Sequence, residues 1–243
     1  MSSGTQRRVL TAAVLIPVVV AVTWWGPTWL VAGLAGTIAV LALLEFFAMA
    51  ERIGFHAYRL WTCLAALGIF AQQWYAARLA SNSSLGDLLD RARSPHVSLA
   101  LVLFVFVLGG AGIAMGSRRP LAEVFSAVSV SAAGLVVIVI PFSAVVRLNG
   151  VHLLGPQLLL FTLVLVWIGD TAAYIVGKGF GRRNLSPHVS PDKTWEGAGA
   201  NLLGALMVGV LFGRWIRIEP VHVIAMAVLG SIAGQVGDLF ESA

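Results

Sequence analysis

Apolar runs of membrane-spanning length recur along the chain, and nothing else in the sequence limits its fold so tightly. A helix needs roughly 20 predominantly apolar residues to cross the hydrocarbon core of a bilayer. Stretches of this kind lie at about 9–25, 28–50, 60–80, 97–115, 121–141, 157–177, 197–213 and 221–240. Charged residues make up only 11% of 243 positions and apolar residues 58%, whereas ordinary soluble domains carry about a quarter charged. So few charges cannot clothe a soluble surface, and so apolar a chain cannot remain disordered. The expected fold is all-α: a polytopic transmembrane helical bundle of about eight spans. The single cysteine, Cys63, excludes a disulfide framework and a thiolate zinc site.

Topology follows from the basic residues. Arg7 and Arg8 precede the first run as they would in a signal peptide. Trp24-Trp25-Gly26-Pro27 then stands where small residues would mark cleavage, so this run reads as a retained first span. With the N-terminus in the cytoplasm, Arg7, Arg8, Arg52, Arg59, Arg118, Arg119, Lys178, Arg182, Arg183 and Lys193 face that side. Arg78, Arg91, Arg93, Arg147, Arg214 and Arg217 face the other. Ten against six favours N-in, and eight spans bring the C-terminus back to the cytoplasm. The net charge of +5 therefore reads as topology and affinity for anionic lipid headgroups, with no nucleic-acid partner.

Two regions are expected. Residues 1–156 form hydrophobic spans that face lipid and act as scaffold. Residues 157–243 carry the site, with a basic, glycine-rich cytoplasmic loop at 178–196. Ala205, Gly209 and Gly213, four residues apart, suit close helix packing.

Ionisable residues inside spans are costly and point to function. Glu45, near a helix end beside Arg52, can reach the interface or pair with it. Asp170 lies roughly 10 Å inside its span at 1.5 Å per residue, with Tyr174 at i+4 and Lys178 at i+8 on the same face. It suits either a functional carboxylate or an interhelical hydrogen bond. In the last span Ser231, Gln235, Asp238 and Glu241 share one face, an oxygen-rich strip of the kind Mg²⁺ accepts when substrate phosphates complete its shell. In the loop, Ser190-Pro191-Asp192 has the form of a helix cap and first turn, so a helix is expected to begin there. Capping leaves Lys193, Thr194, Arg182 and Arg183 unexplained, and a helix N-terminus with cations and hydroxyls is an anion site.

The segments from Asp170 to Tyr174, Phe180-Gly181-Arg182, Ser190 to Gly197 and Gly237 to Ser242, in this order, resemble the phosphatidate cytidylyltransferase (CDP-diacylglycerol synthase) family. The resemblance implies that CTP and phosphatidate give CDP-diacylglycerol and pyrophosphate with Mg²⁺, at a cytoplasm-facing site of a multi-pass inner-membrane enzyme. It implies catalytic roles for Asp170 and Lys193, and metal binding by Asp238 and Glu241. Arg182, Arg183, Ser190, Thr194, Glu196 and Tyr174 become substrate-binding candidates. Family members continue past the segment matching Glu241-Ser242 with further basic and acidic motifs. The expectation is accordingly a truncated chain or one part of a split enzyme, completed by a second membrane polypeptide, with a homodimer also allowed. The alternatives are a catalytically silent partner subunit and a secondary transporter using Asp170 and Asp238 as ion sites.

Overall fold

A computed structural model describes residues 3–81, 98–117 and 120–242. Arg91, Arg93, Arg118 and Arg119 of the charge comparison lie outside them, as do the side chains of Arg7, Arg8 and Glu241. The described residues fold into α1 (Ser3–Trp25), α2 (Thr28–Arg52), α3 (Arg59–Ser81), α4 (Leu99–Gly116), α5 (Leu121–Gly134) and α6 (Ile140–Asn149). Then come α7 (Gly155–Phe180), a hairpin of β1 (Asn184–Ser186) and β2 (Ser190–Thr194), α8 (Trp195–Ile216) and α9 (Pro220–Glu241). A π-helical turn, Leu135–Val139, joins α5 to α6 as one continuous rod. It comes just before Pro141, which has no N–H to give to the preceding turn.

The helical bundle is as expected. Among the described residues six segments are long and apolar enough to cross a membrane: Thr28–Arg52, Leu99–Gly116, Leu121–Asn149, Gly155–Phe180, Trp195–Ile216 and Pro220–Phe240. Of α1 only Ala13–Trp25 is apolar throughout, and α3 is interrupted by Gln72, Gln73 and Arg78. The protein is a multi-pass membrane protein.

Contacts divide the chain into two units, Met1–Pro156 and Gln157–Ala243. In the first, α2 presents Ala35, Ala39, Leu43 and Phe47 at helical spacing to Ile69 and Phe70 of α3, Leu135 and Val139 of the π turn, and Val146 of α6. Trp61 donates its indole N–H to the Phe106 carbonyl at 3.0 Å, tying α3 to α4. Glu51 pairs with Arg59 across the turn between α2 and α3, while Glu45 is exposed.

In the second unit α8 and α9 pack through small residues. Ala205, Gly209 and Gly213 are buried, and a Cβ on Gly209 would stand 3.1 Å from Cβ of Ala227. Phe161 and Leu165 of α7 complete this core with Val208 and Val223. One expectation fails here. No helix begins at Ser190-Pro191, which instead form the start of β2, and α8 begins five residues later at Trp195. Proline is tolerated in a two-stranded ribbon because both strands are edges. The cap is Thr194, whose Oγ1 accepts the Gly197 N–H at 3.1 Å.

Candidate active site

The site is built where the hairpin folds back over the ends of three helices. Antiparallel pairing sets Asn184 against Thr194 and Ser186 against Ser190. The Trp195 N–H donates to the Arg183 carbonyl at 2.9 Å and closes the base of the hairpin. Glu196, in the first turn of α8, accepts the backbone N–H of Arg182 at 3.1 Å and of Arg183 at 3.3 Å. Its carboxylate therefore fixes the chain that leaves α7, and the guanidinium groups of Arg182 and Arg183 project from exposed positions. Close approach makes this possible. A Cβ on Gly197 would lie 3.0 Å from the Ala173 carbonyl oxygen and 3.4 Å from Cα of Gly177, so only glycine lets α8 start against α7.

A cleft of about 810 Å³ results, lined by Asp170, Tyr174 and Lys178 of α7, Ser190 to Thr194, Asn201 of α8, and Gln235 and Asp238 of α9. Residues separated by up to 68 positions in the sequence meet there. Lys193, on β2, reaches the end of α9. Its ammonium donates to the Asp238 carbonyl at 2.6 Å and to Ser242 Oγ at 3.0 Å, and pairs with Asp238 Oδ2 at 2.9 Å. A cation against the last carbonyls of a helix also meets the negative end of its dipole.

The sequence-derived candidates thus separate into groups. Asp170, Lys193, Asp238, Ser190, Thr194 and Tyr174 all border the cleft. Thr194 spends its hydroxyl on the cap, and Glu196 spends its carboxylate on two backbone amides. Tyr174 receives a hydrogen bond from Lys178 at 3.3 Å, so the polar stripe on α7 is real beyond Asp170. Arg182 and Arg183 flank the cleft through the hairpin base. Glu241 ends α9.

Sequence reasoning missed Asn201. It is 5% exposed, donates from Nδ2 to Asp170 Oδ1 at 3.2 Å and accepts the Ser231 hydroxyl at 2.7 Å. Gln235 Nε2 in turn donates to Ser231 Oγ at 3.1 Å. The only signal was a lone asparagine in an apolar span, itself costly unless bonded.

Among the described residues no three His, Cys, Asp or Glu side chains gather into one group. The cleft offers three carboxylates, Asp170, Asp192 and Asp238, and neutral oxygen donors, a hard set suited to Mg²⁺ completed by phosphate and water. The oxygens around Lys193 hold a cation already.

Carboxylates, a lysine and hydroxyls that meet in one cleft of a multi-pass helical bundle mark an integral membrane protein with a charged, polar site. The chain belongs to the cytidylyltransferase family, whose model matches residues 6–243, and is thereby a CTP-dependent nucleotidyltransferase. It is similar to the phosphatidate cytidylyltransferase of Haemophilus influenzae, 30% identical over 224 residues that cover 85% of this chain and 72% of that one. The phosphatidate cytidylyltransferase of Brucella suis is 29% identical across 99% of this chain and 79% of its own length. That of Bacillus subtilis is 32% identical over 104 residues, 42% of this chain. A transporter has no support from these relationships.

Proposed function

We propose that the protein joins CTP and phosphatidate to give CDP-diacylglycerol and pyrophosphate, at a cleft facing the cytoplasm from the inner membrane. The observation that carries the reading is the meeting of Lys193, Asp170 and Asp238 in one cleft lined by apolar helices and the hairpin. A phosphate oxygen of phosphatidate attacks the α-phosphorus of CTP, forming a new P–O bond. The bond from that phosphorus to the bridging oxygen breaks, and pyrophosphate leaves with the electron pair. Such transfers ask a protein for position and charge neutralisation more than for covalent chemistry.

Lys193, already able to bridge β2 and α9, neutralises phosphate charge on CTP. Ser190 adds a hydroxyl donor, and Arg182 and Arg183 receive the phosphate of the lipid or nucleotide from the exposed side of the hairpin. Glu196 and Thr194 act through the backbone, keeping the hairpin over the cleft. Asp170 and Asp238 would hold Mg²⁺, with Glu241 one turn beyond Asp238. When bound, the ion neutralises the phosphates and orients the leaving group. Residues 1–156 serve as the lipid-facing scaffold.

The test uses membranes containing the protein, radiolabelled CTP and phosphatidate. Label should pass into the lipid fraction in proportion to phosphatidate, and should stop when Mg²⁺ is chelated. Label that follows a different lipid phosphate would overturn the substrate. Reporter fusions at Lys178 and Glu219 should report opposite sides of the membrane, with Lys178 cytoplasmic. The reverse orientation would remove the site from cytosolic CTP.

A further inference from the structure

In the wall of the cleft runs a polar chain of which the reaction above uses only Asp170. It passes from Gln235 to Ser231 on α9, then to Asn201 on α8, and ends at Asp170 on α7. Its direction is fixed. An ionised carboxylate only accepts, so Asp170 Oδ1 must face the Nδ2 side of Asn201. Ser231 Oγ accepts from Gln235 and has one proton to give, which goes to Asn201 Oδ1. Turning the amide over would set acceptor against acceptor at Asp170 and leave the Ser231 hydroxyl without its acceptor. Both Asn201 and Ser231 are buried, at 5% and 2% exposed, so water is a poor substitute for these bonds.

A second observation concerns the residue before the carboxylate. A Cβ on Gly169 would lie 3.0 Å from both Nδ2 and Oδ1 of Asn201. The amide therefore occupies space that any other residue at 169 would crowd. The place of Asn201 beside Asp170 is built from both helices.

We propose that Asn201 is a positioning residue that clamps one oxygen of Asp170, so that the carboxylate keeps a single orientation and its other oxygen serves a divalent cation in the cleft. The proposal rests on the reading of that cleft as a metal-assisted cytidylyltransferase site. Asn201 acts on the cation through Asp170, and Ser231 acts through Asn201. Losing an outer partner of a metal ligand characteristically weakens metal affinity by about 10- to 100-fold.

The experiment titrates the purified protein with Mn²⁺ in the absence of substrates and reads free ion by electron paramagnetic resonance. Asp170→Asn should remove most of the affinity. Asn201→Leu, similar in shape but unable to hydrogen-bond, should weaken it about tenfold or more. Ser231→Ala, which frees the amide to turn, should fall between these and the unaltered protein, and Ser231→Thr should restore binding. Gly169→Ala, which leaves every polar group in place, should weaken binding in the same direction. In turnover assays Asn201→Leu should raise the Mg²⁺ concentration for half-maximal rate while leaving the KM for phosphatidate at saturating Mg²⁺ unchanged. Should Asn201→Leu fail to fold, Ser231→Ala and its threonine rescue decide. A loss with Asp170→Asn but none with Asn201→Leu or Ser231→Ala overturns the positioning role alone. Unchanged Mn²⁺ binding in Asp170→Asn overturns the metal reading of the cleft, and this inference with it.

Discussion

The two units are both helical, yet they satisfy their buried polar groups in different ways. In Met1–Pro156 the helices meet through apolar bulk, and Thr62 and Ser143 bond carbonyls one turn back. The hydrogen bonds that cross elements there join a side chain to the backbone, as from Trp61 to the Phe106 carbonyl, from Asn149 to the Thr23 carbonyl and from the Tyr58 N–H to Ser131. In Gln157–Ala243 polar side chains bond to side chains on other helices, through Asn201, Ser231 and Lys193. A hydroxyl that bonds its own helix costs the membrane nothing and links no elements. A side-chain bond between helices makes the position of each depend on the others. The first arrangement makes a stable body; the second makes a place where charges are held at fixed separations.

This contrast can be broken by substitution. The largest effect is expected at Asp238. Its side chain is 61% exposed, so Asp238→Asn should barely move the unfolding temperature, because exposed ion pairs contribute about 0–1 kcal/mol. Cytidylyl transfer should nevertheless fall on the order of 10³-fold, the several kcal/mol expected from loss of a cation ligand. Radiolabelled CTP incorporation measures the one and thermal unfolding in detergent the other. Leu43→Ala should behave in the opposite manner. The side chain is fully buried in the first unit, and the cavity should cost about 3 kcal/mol of stability. CTP affinity of the folded fraction, read by titration, should be unchanged; a shift in that affinity would mean the scaffold and the site are not separable in this way.

Smaller effects sharpen the comparison inside the second unit. Lys193→Ala should weaken CTP binding by roughly 10- to 150-fold, the equivalent of about 1.5–3 kcal/mol for a charge-assisted contact. Isothermal titration would detect it, and an unaltered affinity would confine Lys193 to its contacts with α9. Thr194→Ala should cost about 1 kcal/mol, the usual loss of an N-cap. Hydrogen exchange at the Gly197 amide should quicken about fivefold, and Thr194→Ser should reverse it.

The sequence displayed the bundle plainly, since long apolar runs leave a chain few other ways to satisfy its backbone in lipid. The members of the cleft were also legible, because Asp170 and Asp238 are charges in costly places and Lys193 stands in a basic loop where helix capping leaves it unexplained. The hairpin was not. Ser190-Pro191-Asp192 carries the local chemistry of a helix start, and Thr194 with Glu196 carries nearly the same chemistry four residues on. The choice between them is made by tertiary contact, through Glu196 binding the amides of Arg182 and Arg183. Asn201 was hidden for a related reason. One polar residue in an apolar span has no period to reveal it, and its partners at 170 and 231 lie 31 and 30 positions away.

Lys193 carries a further consequence for how any cation enters. Its ammonium is held by the carbonyl and carboxylate of Asp238 and by the hydroxyl of Ser242. On the proposed reading of the cleft, a metal that took Asp238 Oδ2 would compete with that ammonium for it. Its binding would then be a substitution, and the affinity measured a difference between two attractions for the same oxygen. Lys193 would keep its bonds to the Asp238 carbonyl and to Ser242. A tightly held resting state and a modest apparent metal affinity are two descriptions of one competition.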